Sequence, residues 1–336
     1  MDASRPEAFA APKDPGPYIA PAWLPGSHAQ TIWPYFLRRP ELPIVSERVD
    51  TQDGDVWRFD WLDSPAPPGA PLVVLFHGLE GGAGSHYSRA LLAELAALGW
   101  RGVVPHFRGC GEPNRRPRAY HSGDFEEIAA MLDAVHARIP PGTVVHACGV
   151  SLGGSALLNW LGRAGASATA RVARAAAVSA PIDLMAAGRS IDRGANRIYA
   201  AHFLQSLKPK ALAMSERFPG LLDAARIKGA RSMAAFDDGV TAPLHGFLDV
   251  NDYWTRASSK PWLASIAVPT LVVNARNDPF IPSSSLPGPS EVSRQVMLEQ
   301  PDHGGHVGFL TTPAPGRLDW LPKRLTAFFS DDWRHR

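Results

Sequence analysis

The stretch TVVHACGVSLGGSALLNWL, Thr143 to Leu161, reads as an apolar strand (Thr143 to Cys148), a tight turn Gly149-Val150-Ser151-Leu152-Gly153-Gly154, and a helix carrying Ala156, Leu157, Leu158 and Leu161. A Gly-x-Ser-x-Gly pattern between strand and helix reverses the chain so sharply that its serine is forced into a strained backbone conformation. Side chains at the two flanking positions would collide with the neighbouring strand and helix. Glycine at 149 and 153 removes both collisions. The turn presents Ser151 Oγ at the carboxyl end of a strand beside a helix N-terminus, whose free N–H groups favour negative charge. That is where a nucleophile for acyl transfer is needed. A glycine-rich loop closing an ordinary strand-to-helix turn has the same pattern, so the partners of Ser151 decide between the two.

Upstream, Leu72 to Phe76 is a continuous apolar run, as expected of a strand covered by helices on both faces. It ends in His77-Gly78-Leu79-Glu80-Gly81-Gly82, a loop whose backbone N–H groups can approach a ligand closely. Beside a serine nucleophile such a loop supplies one oxyanion N–H and the residue after the serine supplies the other. Here these are Leu79 and Leu152. A phosphate cradle is the competing use, but neither a Gly-Lys-Ser/Thr nor a GxGxxG signature is present. His77 reads as a structural residue hydrogen-bonded within the loop. Ser88 to Leu98 reads as an amphipathic helix closed by Gly99, and Gly102 to Pro105 as the next buried strand. Asp124 and Glu127 have capping-box spacing ahead of a helix whose Phe125, Ile128, Leu132, Val135 and Ile139 share one face. Strand and helix thus alternate up to the turn at Ser151, which predicts a doubly wound, mostly parallel sheet.

Further upstream, alternating runs at Ile44 to Val49 and Val56 to Trp61 flank Asp53-Gly54, which predicts an antiparallel hairpin at the start of the sheet. Ser27 and Gln30 have capping-box spacing before Ile32, Trp33 and Phe36, so a short aromatic helix is expected, packed on the sheet as an arm. Residues 1 to 21, rich in Pro and Ala, read as a disordered, mobile tail ahead of a domain over 22–336.

Downstream, Val172 to Ser179 is a further strand, and then residues 183 to 255 break the alternation. Helical pieces around Ala195 to Leu207 and Leu221 to Phe236, with no strand, predict a cap inserted between core segments 43–182 and 256–330. Among its Tyr199, Phe203, Leu204, Leu207, Met214, Phe218 and Met233, most are expected to hold the cap together and a minority to line a pocket. Pro269 to Asn274 resumes the parallel strands and leads into Asn277-Asp278-Pro279-Phe280. Gln295 to Leu298 is the last strand, followed by His303-Gly304-Gly305-His306-Val307-Gly308-Phe309, and a helix over Arg317 to Phe329 closes the chain.

Serine, then an acid after a later strand, then histidine after the next, is the order that brings three strand ends to one sheet edge. Ser151, Asp278 and His306 satisfy it. His306 would take the Ser151 proton and return it to the leaving group, while Asp278 would accept the other imidazole N–H and fix the tautomer. Asp278 ahead of Pro279 also fits an Asx-turn, and Asp183 is the reserve acid. His303 competes with His306; Gly305 and Gly308 beside His306 permit the tight turn that points a side chain back over the sheet.

Composition narrows the classes. A chain of 336 residues, 45% hydrophobic and 20% charged, can bury a large core, and a net charge of +2 carries no nucleic-acid footprint. Arg115, Arg116 and Arg118 read as a solvated surface run. The two cysteines, Cys110 and Cys148, and the missing apolar leader predict no disulfide framework and a cytoplasmic setting. No apolar run reaches transmembrane length, so no integral membrane segment is expected. The histidines lack HExxH spacing and the cysteines lie far apart, so neither metal nor cofactor is expected.

Together, WLPGSHAQT (23–31), HGLEG (77–81), RGCG (108–111), YHSG (120–123), GVSLGG (149–154), FDD (236–238) with TAPLHGF (241–247), NDPF (277–280) and HGGHVGF (303–309) resemble the YheT-like α/β-hydrolases, bacterial relatives of the mammalian ABHD ester hydrolases. The resemblance runs from Trp23 to the C-terminus. It implies an α/β-hydrolase fold and a carboxylic ester hydrolase with the triad on Ser151, Asp278 and His306. The membrane anchor of the mammalian relatives has no counterpart in this sequence. The expected chemistry is two-step acyl transfer on a small-molecule ester or lipid, of short- to medium-chain acyl or acylglycerol type. Acyl transfer to another acceptor by the same triad, or a non-catalytic binding protein on the same fold, are the alternatives. A serine at 151 excludes the epoxide hydrolases and haloalkane dehalogenases of this fold, which need a carboxylate nucleophile.

Overall fold

In the computed structural model, which describes residues 12–330, eight strands form one sheet in the order β1-β2-β4-β3-β5-β6-β7-β8. They are β1 (Ile44–Asp50), β2 (Val56–Leu62), β3 (Leu72–Phe76), β4 (Arg101–His106), β5 (Val145–Val150), β6 (Arg174–Val178), β7 (Thr270–Val273) and β8 (Val296–Glu299). β1 and β2 form the expected hairpin, with Ile44 opposite Leu62 and Asp50 opposite Val56, and β2 joins β4 antiparallel. All remaining pairs are parallel.

The apolar strands sort their side chains by the two-residue period of a pleated strand. On β3, Leu72, Val74 and Phe76 face a cluster with α3 (Phe125–His136) and α4 (Leu152–Ala164), while Val73 and Leu75 face α2 (His86–Leu98) and α11 (Trp320–Phe329). The Ala175-Ala176-Ala177 run makes β6 thin, and a Cβ on Gly154 of α4 would come within 3.0 Å of Ala180 Cβ. α2 leaves β3 toward one face and α4 leaves β5 toward the other. β3 and β5 are neighbours, so a crevice opens between their carboxyl ends, the topological switch point where ligands bind in such sheets.

Between β6 and β7 lie α5 (Leu184–Ile191), α6 (Arg197–Arg217), α7 (Ala224–Gly229), α8 (Met233–Phe236), α9 (Ala242–Leu244) and α10 (Val250–Ala257), with no strand in that span. α6 runs ten residues past the expected end at Leu207, straight through Pro209. Its buried Ala211 joins Leu204, Ile227 and Phe236 in a separate apolar cluster, and that packing outweighs the backbone bond a proline removes.

The amino-terminal part differs from expectation. Residues 1–11 of the expected tail lie outside the described residues, as do 331–336. From Tyr18 onward, though, the chain is docked: Tyr18 donates its hydroxyl to Leu310 O at 2.8 Å, its ring packs on Phe309 and Trp320, and Trp320 Nε1 donates to Gly16 O. α1 (Ser27–Ile32) and a 3-10 turn (Trp33–Phe36) follow. Neither capping box closes. Ser27 lies inside α1, and Asp124 pairs with Arg118 at 2.7 Å while its own N–H bonds His121 O.

Candidate active site

The strained turn forms as the glycine pattern requires. Ser151 has φ 53° and ψ −120°, held by its N–H donating to Val178 O at 2.8 Å. A Cβ on Gly149 would lie 2.5 Å from Gly153 O, and one on Gly153 would lie 2.4 Å from Phe76 O, so both positions exclude any side chain. α4 starts at the next residue and puts its N-terminus beside Ser151.

The loops after β7 and β8 meet there. His306 Nε2 lies 3.0 Å from Ser151 Oγ, and His306 Nδ1 lies 2.8 Å from Asp278 Oδ2. With Nδ1–H donating to the carboxylate, Nε2 is left as the acceptor for the serine hydroxyl. The Asp278 side chain is wholly buried and that of His306 is 11% exposed. Asp278 Oδ1 also accepts the Phe280 N–H at 2.8 Å, so the Asx-turn is present as well and aims the second oxygen at the imidazole. His303 is exposed, its nearest polar contact Asn277 Nδ2 at 3.5 Å. Asp183 caps α5, accepting from Ala186 N. Of the rival residues, neither reaches Ser151.

What holds the His306 loop was not legible beforehand. Val307 sits at φ 59° and its N–H donates to Ser179 Oγ, itself on a residue with φ 48°. The His306 N–H donates to Thr31 Oγ1 at 2.9 Å, and Gln30 Oε1 accepts from both Gly304 N and Asn277 Nδ2. A Cβ on Gly308 would stand 2.2 Å from Gln30 O. Gly308 therefore serves the arm's close approach rather than a turn, since its φ is not positive, and α1 clamps the loop that carries the imidazole.

On the other side of Ser151, a Cβ on Gly78 would be 3.1 Å from Ser151 Cβ. The Gly78 N–H donates to Tyr87 Oη and the Glu80 N–H to Tyr120 Oη, both at 2.8 Å. The Leu79 N–H between them, and the Leu152 N–H at the start of α4, have no protein acceptor among the described residues. His77 donates Nδ1–H to Gly78 O and accepts the Phe107 N–H at Nε2. Burial, aided by the neighbouring His106, pulls its pKa down to about 3, so it is a neutral brace. Glu80, at φ 55°, receives Lys210 Nζ of α6 at 2.8 Å and the Tyr120 hydroxyl at 3.1 Å, tying this loop to the inserted helices.

A cavity of about 180 Å³ lies between the strand ends and α5–α10, with Ser151 and His306 on its wall. Phe203, Leu207, Met214 and Met233 line it, four of the seven large residues singled out in this segment, so a majority rather than a minority face the cavity. Asp237 is half-buried beside them and accepts from Thr241 Oγ1 and Trp254 Nε1. Burial pushes its pKa up to about 6. Among the described residues no group of three His, Cys, Asp or Glu is placed to hold a metal ion.

The arginine-rich loop after β4 lies at the surface as expected, with Arg115 and Arg116 exposed, and its arginines also find partners. Arg115 pairs with Asp50, Arg116 Nε donates to Asp53 O and Arg118 pairs with Asp124. Beneath them buried Arg108 bonds Glu127, Asp53 and Asp55. Burial and the adjacent Asp124 carboxyl raise the Glu127 pKa above the usual carboxyl range. The network fastens the loop carrying Tyr120 and His121 to the hairpin turn.

A doubly wound sheet with a serine at this turn, an Asp after β7 and a His after β8 defines an α/β-hydrolase. The α/β-hydrolase-fold family matches residues 71–313, and the chain belongs to it. The chain is 37% identical over 303 residues, 89% of its length and 88% of the relative's, to the Escherichia coli (strain K12) protein named "Putative esterase YheT". Against Phospholipase ABHD3 of Mus musculus it is 31% identical over 323 residues, 93% of this chain and 77% of that one. Within the family it is thus a YheT-like member, an enzyme of the carboxylic ester hydrolase class. Solved structures sharing the fold include the Pyrococcus furiosus esterase Pf2001 (TM-score 0.53, 16% identity, covering 86% of this chain and 92% of that one). The carboxylesterase CesB of Bacillus subtilis is another (TM-score 0.52, 17% identity, 86% and 92% covered).

Proposed function

We propose that the protein hydrolyses carboxylic esters through an acyl-Ser151 intermediate. The observation that carries this is the unbroken relay Ser151–His306–Asp278, at 3.0 and 2.8 Å, on the wall of an apolar cavity. Ser151 Oγ attacks the ester carbonyl as its proton passes to His306 Nε2, and the Leu79 and Leu152 N–H groups receive the oxyanion. His306 returns the proton to the departing alcohol. It then deprotonates the water that releases the acid, with Asp278 stabilising the imidazolium at each stage. The apolar walls and the cap fit short- to medium-chain acyl esters or acylglycerol-like lipids. Residence in a reducing, cytoplasmic setting belongs to the same proposal and is supported by the two unpaired cysteines.

The test is a chain-length series of chromogenic esters on purified protein, with a fluorophosphonate probe. We expect Ser151→Ala to lose hydrolysis by at least about four orders of magnitude and to resist labelling. Full esterase activity in that variant overturns the assignment. Added alcohol acceptors should leave free acid as the main product; predominant transfer would make the enzyme an acyltransferase.

A further inference from the structure

The arm that clamps the His306 loop has a second, uncovered face. Of the large hydrophobic residues that stand exposed among those described, five fall within one short segment: Trp23 (36% exposed), Ile32 (41%), Trp33 (37%), Tyr35 (58%) and Phe36 (75%). Three of them adjoin, with the Trp23 and Trp33 rings 5.9 Å apart and the Trp33 and Phe36 rings 6.4 Å apart, while the Tyr35 ring packs on His86. The opposite face of the same segment is spent on the fold: Leu24, Gln30, Thr31 and Pro34 are buried. An amphipathic segment uses its apolar side for burial in the core, but here a polar pair is buried and the aromatic side is left in solvent.

Cations stand beside this face, with one acid, exposed Glu41, further along the same segment. Arg38 and Arg39 follow directly and are exposed, and neither has a carboxylate partner among the described residues; Arg39 donates only to Gly84 O. Across the site, Tyr199 of α6 stacks on His28 of the arm, with their side chains hydrogen-bonded at 3.0 Å. Its neighbours Arg197 and Ile198 are exposed, Ile198 by 72%, and Arg197 too lacks a carboxylate partner there. From Tyr199 the ring contacts run inward to Phe280 (4.7 Å) and from Phe280 to His306 (4.3 Å).

We infer that this face, centred on Trp33, Tyr35 and Phe36 with Arg38, Arg39 and Arg197 at its margin, docks the enzyme on an anionic lipid surface. Amphipathic Trp and Tyr rings settle at the headgroup level, Phe and Ile reach the acyl boundary, and unpaired arginines complement anionic headgroups. No helix among the described residues is long and apolar enough to cross a membrane, so the attachment is peripheral. The inference rests on the ester-hydrolase reading for its purpose, the delivery of lipid esters to Ser151, but binding alone reads it out.

The full chain is floated or sedimented with vesicles of phosphatidylcholine, and with vesicles to which phosphatidylglycerol has been added. We expect binding to the anionic vesicles that weakens with salt and is lower on phosphatidylcholine alone. The double variant Phe36→Asp/Ile198→Asp, at two solvent-exposed positions outside the reacting groups, should bind at least about tenfold less, the cost of withdrawing two large apolar side chains from lipid. Its turnover of a water-soluble short-chain ester should match the parent, which also shows that it folds. Arg38→Gln/Arg39→Gln should lose only the increment due to anionic lipid. Ser151→Ala should bind vesicles normally; a parent protein that binds vesicles yet hydrolyses no ester sinks the hydrolase reading and leaves docking standing. Parent protein that stays in solution with both vesicle types overturns the inference. So does a double variant that binds as well as the parent, or one that instead converts a dimer to a monomer, which would assign the face to a second copy.

Discussion

At the scale of single residues, the site depends on positions where no larger or less polar group fits. Gly153 is the sharpest case, because an alanine Cβ would penetrate Phe76 O at 2.4 Å and backbone cannot yield as a flexible side chain does. Gly153→Ala should destabilise by about 3 kcal/mol or more, measured as a lower urea midpoint with loss of probe labelling at Ser151. Thr31 is the subtler case. Its hydroxyl accepts the His306 N–H and donates to Ser27 O one turn back, and Thr31→Val, nearly the same shape, deletes both bonds. About 1 kcal/mol of positioning energy should be lost, seen as a several-fold fall in kcat with KM little changed. Thr31 lies far from every catalytic motif in the chain, and its local sequence announces only a helix.

At the scale of elements, the inserted helices couple to the core through one visible ion pair. Lys210 of α6 meets Glu80 beside the proposed oxyanion donor Leu79. The lysine is 45% exposed, so Lys210→Met should cost less than about 1 kcal/mol in stability. Released from the helix, the loop should still lower kcat/KM several-fold on long-chain esters, more than on short ones that do not engage the cap; equal loss on both would refute the coupling. Asp237, in the turn after α8, supplies the pH dependence. Its folded pKa of about 6 lies above the ordinary carboxyl value of 3.8, so the fold favours the neutral acid. The native state then binds more protons than the unfolded chain between those values. The stabilisation this gives is complete below the lower value and is lost as pH rises through the upper one. Unfolding free energy of Asp237→Asn, measured by urea titration from pH 4 to 7, should therefore decline less with pH than that of the parent, by roughly 1–3 kcal/mol across the range.

At the scale of the whole molecule, two chain-distant devices brace the site from outside the sheet: the arm on the His306 loop, and the Arg108 network under the Tyr120 loop. Arg108 is only 6% exposed and bonds three carboxylates, so Arg108→Met would strand buried negative charge. The expected cost is about 3–5 kcal/mol, again by urea unfolding, with a larger deficit at high pH where Glu127 ionises. Because Glu127 and Asp124 share the region, Glu127→Gln in the same background should restore part of the loss.

Readable in the chain alone are the sheet, the turn at Ser151 and the order serine, acid, histidine, with Asp278 and His306 the favoured pair. Each of these is written in short-range chemistry: apolar runs of strand length, paired glycines, a hairpin Asp-Gly. Strand ends were legible to within one or two residues, and the Asx-turn at Asp278 was visible along with its rival role. Packing of distant segments settled the choice between His306 and His303, the reach of Gln30 and Thr31 to the His306 loop, the meeting of Lys210 with Glu80 and the pairing of the arginines after β4. Those contacts join segments far apart in the chain. No local periodicity encodes them, and burial selects the distant partner whenever it satisfies a polar group that water no longer reaches.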